Sequence, residues 1–222
     1  MKFIDLTHTL SSTIPFWDGT CGFTLSKITD YSDCIPPNIF RTQKINMNAG
    51  VGTHMDAPAH CLPGGKTIDE LELGELIIDC IVIRVEKEAH ETYTIMPSVV
   101  EQFEKYNGEI PPNSLVIFYT GWDKYWNEPE KFINNYRFPS VDVSTAELLL
   151  KRGVSGLGTD TISVDTGAAG FPVHRAILGD GKYLVENIAN AGELPPTGAK
   201  ILILPMKIEK ATEAPIRLIA LI

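Results

Sequence analysis

Several things are scarce in this sequence, and each scarcity removes a class of function. The 222 residues contain four cysteines, Cys21, Cys34, Cys61 and Cys80, with no Cys-x-x-Cys pair among them. That is far too few for a disulfide scaffold and the wrong spacing for a thiolate zinc site, so reduced thiols are expected. Basic residues are short as well: 19 Lys and Arg against 28 Asp and Glu leave a net charge of −9, with no positive cluster. A phosphate backbone would find no patch to neutralise it, so no nucleic-acid partner is expected. No run reaches the roughly 18 apolar residues of a membrane helix. The start, MKFIDLTHTLSS, has one lysine and too short an apolar run for a signal peptide. Repeats, low-complexity tracts and linker-like stretches are missing too. The expectation is a soluble cytoplasmic protein without a membrane partner, folded as a single domain over residues 1–222, with 44% apolar residues to build its core.

The elements present point to a mixed architecture. LIIDCIVIRVE, NSLVIFYTGW, AKILILPMKI and PIRLIALI are rich in branched residues and read as strands, several of them buried on both faces. MPSVVEQFEKYNG predicts a helix with Pro97 in its first turn and Asn107-Gly108 as its stop. In VSTAELLLKRG, Ser144 and Glu147 predict a capping box and Gly153 a C-terminal close. Thr67 and Glu70 repeat the box in GKTIDEL and predict a short helix. Helices alternating with more numerous strands give an α/β class, or α+β with a mixed sheet.

Chemistry concentrates in NAGVGTHMDAPAH, Asn48 to His60, which holds two of the five histidines. In an extended chain, residues two apart point to one side, so His54 and Asp56 can converge on a cation. Imidazole with carboxylate suits zinc, manganese or iron better than calcium. His60 has the same parity, but six residues of straight strand would carry it about 20 Å away. A bend is therefore needed, and Pro58 is a plausible place for it. Thr53 is placed to brace a ligand through a hydrogen bond. By spacing alone the stretch is either a metal-binding strand or a polar bend.

A second segment, GFPVHRAILGDGKYLVENIAN, carries His174 and Glu186 among apolar neighbours. Buried groups of this kind need partners, and a metal is one; a surface pair of Glu186 with Arg175 or Lys182 is the alternative. Asp160, Ser163 and Asp165 follow an apparent strand and serve either as site residues or in turns and caps. Phe16 and Trp17, in IPFWDG, either stack on a planar substrate or pack in the core. Trp122 and Trp126 flank charged residues and read as surface or interface. His8 reads as a strand-end histidine bound to backbone, and Cys61 as a small buried apolar side chain.

Together these blocks resemble the cyclase-like family of metal-dependent hydrolases, which includes bacterial kynurenine formamidase and isatin hydrolase. Gly52, Thr53, His54, Asp56, Pro58 and His60 match its His-x-Gly-Thr-His-x-Asp-x-Pro-x-His signature in register. FIDLTHTLSSTIPFWDG, VIFYTGW, GTDTISVD, HRAIL with VENIAN, and LPMKIEKATEAPIRLIALI are similar to its further blocks in order. The resemblance implies a swivelling β/β/α fold with a mixed, strand-rich sheet and a homo-oligomer, a homodimer or homotetramer. It implies His54 and Asp56 as metal ligands, His174 and Glu186 as the second ligand pair, and His60 as general acid and base. One or two divalent ions per subunit, zinc or manganese, would be the cofactor.

The motif's first histidine falls at Gly50, which offers no donor atom. Asn48 taking the vacancy through a bulge, a single ion held by fewer ligands, and an empty site are the three possibilities. The function expected is hydrolysis of a small amide, lactam or ester, with Phe16 and Trp17 against the substrate; the alternative is a non-catalytic binding or assembly protein on the same scaffold. A hydrolase with Cys61 as nucleophile is disfavoured, because adjacent strand residues face opposite ways.

Overall fold

The computed structural model describes residues 1–167 and 170–222. In chain order its elements begin with β1 (Phe3–Asp5), β2 (Phe23–Thr29), β3 (Thr42–Met47), β4 (His54–Asp56), α1 (Leu73–Leu76), β5 (Ile77–Arg84), β6 (Thr94–Ile95), α2 (Pro97–Asn107) and β7 (Ser114–Tyr119). They continue with α3 (Pro129–Ile133), β8 (Ser140–Val141), α4 (Val143–Lys151), β9 (Gly156–Thr159), α5 (Pro172–Gly179), β10 (Tyr183–Glu186), β11 (Ala199–Pro205) and β12 (Glu213–Leu221).

Eight strands form one mixed sheet in the order β1-β12-β11-β5-β7-β9-β10-β4, and β4 also pairs with β12. That extra pairing closes the sheet into a barrel-like ring, with β1 lying beside the far end of β12. The strands β5, β7, β9 and β10 run parallel, and β4, β11 and β12 run against their neighbours. Of these, β5 and β7 are near-continuous apolar runs, as strands covered on both faces require.

Strand parity divides the apolar residues between two cores. Leu115, Ile117, Val185, Val82 and Ile201 point with Met55 into the enclosed side of the ring. Val116, Phe118, Leu157 and Leu184 face the helices, where Val100, Leu149, Val173 and Ile177 of α2, α4 and α5 cover them. A third cluster of Ile14, Val51, Phe132, Phe138 and Ile162 lies beside the loops. Trp122 and Trp126 belong to it, at 8% and 7% exposure, and not to the surface their charged neighbours suggested. The indole N–H of Trp122 donates to the Phe132 carbonyl at 2.8 Å, and the charges are carried outward, with Lys124 and Lys131 over the Tyr125 ring.

Helix starts follow local chemistry with one correction. α2 begins at Pro97 and stops at Gly108, whose φ of +88° favours glycine. α4 is capped by Asp142, whose carboxylate accepts from the Ser144 N–H at 2.9 Å and from its hydroxyl. A carboxylate two residues upstream thus outcompetes the expected Ser144–Glu147 box. Thr67 and Glu70 close a single 3-10 turn, Ile68–Glu70. Outside the main sheet, β2 and β3 form a separate hairpin whose side chains are almost all exposed. Among the described residues no helix is long and apolar enough to cross a membrane.

Candidate metal centre

The site grows from the three residues of β4. Met55 is fully buried in the ring, so His54 and Asp56 stand on the opposite face. Register supplies the rest. Glu186 of β10 lies directly across from His54, and Glu213 of β12 directly across from Asp56, so all four side chains share one face. His174, in the first turn of α5, comes over the top. The chain after β4 bends into a 3-10 turn, Pro58–His60, and this returns His60 to the cluster, its ring centroid 6.1 Å from that of His174.

Backbone conformation prepares His54. Gly52 has φ +68°, a left-handed bend that a side chain resists. The bend presents the Gly52 carbonyl to His54 Nδ1 at 2.9 Å and to the Asn187 amide at 2.8 Å. Thr53 is the brace between segments: its hydroxyl donates to the Asn187 carbonyl at 2.6 Å and accepts the His8 N–H at 2.9 Å.

Two buried imidazoles therefore have fixed tautomers. A carbonyl can only accept, so His54 carries its proton on Nδ1, and His174 Nδ1 lies 2.8 Å from the Asp165 carboxylate. In the neutral ring each Nε2 is left with a lone pair. His54 Nε2 is 3.4 Å from Asp56 Oδ1 and 3.6 Å from Glu186 Oε2; His174 Nε2 is 3.7 Å from Asp56 Oδ2 and 3.5 Å from Glu186 Oε1. With carboxylate oxygens facing it, each Nε2 calls for positive charge between, either a second proton or a shared cation. Asp56 Oδ1 is buried with no hydrogen-bond partner.

Such a donor set fits a divalent transition metal. Ligands about 2.1 Å from a tetrahedral ion lie roughly 3.4 Å apart, close to the separations seen. His54, Asp56 and Glu186 form one group whose donor atoms lie within 4.8 Å of one another, and Asp56, His60 and His174 form another. Asp56 belongs to both.

Charge in the centre is unbalanced without a cation. Burial would lower the His174 pKa, but the Asp165 hydrogen bond with Glu186 and Asp56 outweighs it and pushes it up to about 9. His54 behaves alike: burial lowers its pKa, Asp56 and Glu186 raise it, and the net direction is up. Burial and then the Asp56 charge push Glu186 up to about 7, against His174 and His54. The imidazoles hold protons because the carboxylates need positive charge, a need a metal meets instead.

Glu186 is buried between His54 and His174 and does not pair with Arg175 or Lys182. Asp165 is cap and site residue at once, accepting the Val173 and His174 N–H groups as well as the His174 ring. Asp160 is a structural anchor: it accepts from Thr120 and Trp122 and is far from exposed. Asn48 is exposed at the end of β3 and lines a different, shallow cavity, so it does not fill the place beside Gly50. Cys61 is exposed and not buried, because the 3-10 turn carries it out of the sheet. His8 does not bind backbone through its ring; the ring stacks on Trp126 at 4.0 Å between centroids.

The cluster floors a cavity of about 240 Å³ whose apolar wall is Phe16, Trp17 and Phe171. Phe171, its ring centroid 5.6 Å from that of Trp17, and Glu213 were not singled out by sequence. The available signals were faint: an aromatic ahead of a Pro-started helix, and an acidic residue opening an otherwise apolar strand.

Known proteins share this arrangement of chain. Isatin hydrolase of Roseibium aggregatum is 29% identical over 100% of this chain and 92% of its own length. Kynurenine formamidase of Salinibacter ruber is 26% identical over 98% of this chain and 96% of its own. Among solved structures, an isatin hydrolase bound to the product analogue thioisatinate superposes with a TM-score of 0.91 at 28% identity, over 100% of this chain and 92% of that one. Isatin hydrolase A from Ralstonia solanacearum gives 0.90 at 28% identity, over 99% and 91%. The Cyclase family model matches residues 4–166, and with the fold and site above it, the chain belongs to the cyclase family.

Proposed function

We propose that this protein is a metal-dependent hydrolase of a small amide or lactam, isatin-hydrolase-like or arylformamidase-like, acting on a carbon–nitrogen bond outside peptides, with an ester as the alternative substrate. The observation that carries the reading is the pair of buried Nε2 atoms, on His54 and His174, facing Asp56 and Glu186. These four residues would hold one or two divalent ions, zinc or manganese. A bound ion supplies Lewis acidity, making water a better nucleophile at neutral pH and the substrate carbonyl a better electrophile.

The chain's own residues do the rest. Phe16, Trp17 and Phe171 hold a planar ring by stacking and keep bulk water from one side of it. His60, on the open side of the cluster, takes a proton from the attacking water as its oxygen bonds to the carbonyl carbon. It returns that proton to the leaving nitrogen as the carbon–nitrogen bond breaks, giving a carboxylate and an amine. A ring lactam yields both groups on one molecule, an N-formyl arylamine on two. The reading extends to a cytoplasmic homodimer or homotetramer: the exposed Leu25, Ile28 and Ile45 of the hairpin support self-assembly, and four free thiols support a reducing compartment.

The test is metal content, measured together with turnover of isatin and of an N-formyl arylamine. Hydrolysis is expected with manganese or zinc, and His60→Ala should lose about 10²–10⁴ in kcat while keeping its metal. Protein that neither carries nor takes up either ion, and turns over neither substrate, would be the non-catalytic scaffold that Gly50's lack of a donor favours.

A further inference from the structure

We propose that Gly50 and Glu213 are a matched pair: the missing side chain at residue 50 opens a slot, and from that slot the Glu213 carboxylate orients His60. This rests on the reading above only in giving His60 its proton-transfer task.

At Gly50 it is the space taken by a neighbouring side chain, not backbone conformation, that a Cβ would disturb. Gly50 is outside the left-handed region that makes glycine necessary at Gly52. A Cβ at residue 50 would instead overlap Glu213 Oε1 and come within 3.2 Å of its carboxyl carbon. The β4–β12 register brings Glu213 to this spot, by setting it across from Asp56 on the site face. Its other oxygen, Oε2, lies 3.4 Å from His60 Nδ1.

Glu213 is absent from both groups of donors that lie within 4.8 Å of one another, whereas His60 belongs to one with Asp56 and His174. Its side chain is 24% exposed where Asp56's is 2%, so it stands at the rim and reaches the floor through His60. A carboxylate at Nδ1 keeps the ring proton there and leaves the Nε2 lone pair free to take a proton from water. The pair then tightens when His60 becomes an imidazolium, and relaxes when the proton passes to the leaving group. Glu213 is thus a positioning residue.

The experiment is a double-mutant cycle of Gly50→Ala and Glu213→Ala, read three ways: manganese titration of the metal-stripped protein, the 15N spectrum of the His60 ring in the same state, and steady-state kinetics. In the wild type, His60 Nδ1 should be the protonated nitrogen; in either variant the ring should exchange between tautomers. Glu213→Gln keeps an acceptor and should restore the wild-type tautomer. Each single variant should lose about 10–100-fold in kcat with KM and manganese affinity nearly unchanged, and the double variant should be no worse than Glu213→Ala. An unaltered His60 spectrum in Glu213→Ala, losses that multiply in the double variant, or a manganese affinity reduced about tenfold or more, which marks a direct ligand, would each overturn the proposal. If Gly50→Ala does not fold, Glu213→Ala and its spectrum decide alone. The spectrum needs no substrate, so it tests the pair even if the hydrolase reading fails.

Discussion

One oxygen of Asp165 serves His174 twice, lying 2.8 Å from its ring Nδ1 and accepting its backbone N–H at 2.9 Å. The same carboxylate therefore starts helix α5 and aims the imidazole carried on its first turn. Asp165→Asn keeps the size but sets an amide donor or a neutral oxygen against the ring. Manganese affinity should fall about 10–100-fold by calorimetry, with the fold retained by circular dichroism. Unchanged affinity would mean that α5 alone places the ring.

Asp56 lies between both imidazoles and beside Glu186, whose pKa is raised first by burial and then by the Asp56 charge. Asp56→Asn removes one of two like charges from the buried centre. The metal-free variant should melt at or above the wild-type temperature, while the rise on adding manganese disappears. That rise corresponds to about 2.7 kcal/mol at a hundred times Kd, or several degrees for a chain of this size. A preserved rise would remove Asp56 from the ligand set.

His8 sets a pH limit on stability. Its ring is stacked on Trp126 with an interplanar angle of 8°, Nε2 is buried without a partner, and burial lowers its pKa to about 4 from 6.5. The unfolded chain thus binds the proton more readily between pH 6.5 and 4, and the native state loses stability as pH falls through that window, by on the order of 2–3 kcal/mol. His8→Phe keeps the stack and cannot titrate. Urea midpoints between pH 7 and 4 should fall less steeply in the variant; parallel slopes would assign the acid sensitivity elsewhere.

Met55 occupies the middle of β4 and points away from the site into the ring. Met55→Ala should cost about 2–5 kcal/mol from lost burial and the cavity left behind. The denaturation midpoint should drop with its slope unchanged, and manganese should still bind, because His54 and Asp56 stand on the other face.

Much of this was legible where the signal is local. Branched runs mark β5, β7, β11 and β12, and alternation alone puts His54 and Asp56 on one face with Met55 opposite. Pro58 marks the bend that returns His60. Local signals failed where two of them compete. Asp142 and Ser144 are both good caps, and the choice depended on where the chain enters α4. Charged neighbours of Trp122 and Trp126 suggested a surface, yet the short turns there send lysines out and indoles in.

The sequence by itself determined the donor types and the parity of His54 and Asp56, because these depend on residue chemistry and the two-residue repeat of a strand; the vacancy at Gly50 shows only against the motif the sequence resembles. Only the tertiary structure decided what meets them. Glu186 faces His54 and Glu213 faces Asp56 through register, set when β4 closes the ring between β10 and β12. Those partners are 132 and 157 residues away in the chain (186 − 54 and 213 − 56). No local pattern encodes such a pairing; it follows from burying Met55, Val185 and Ala214 together on the enclosed side, which turns their polar neighbours toward one another on the other.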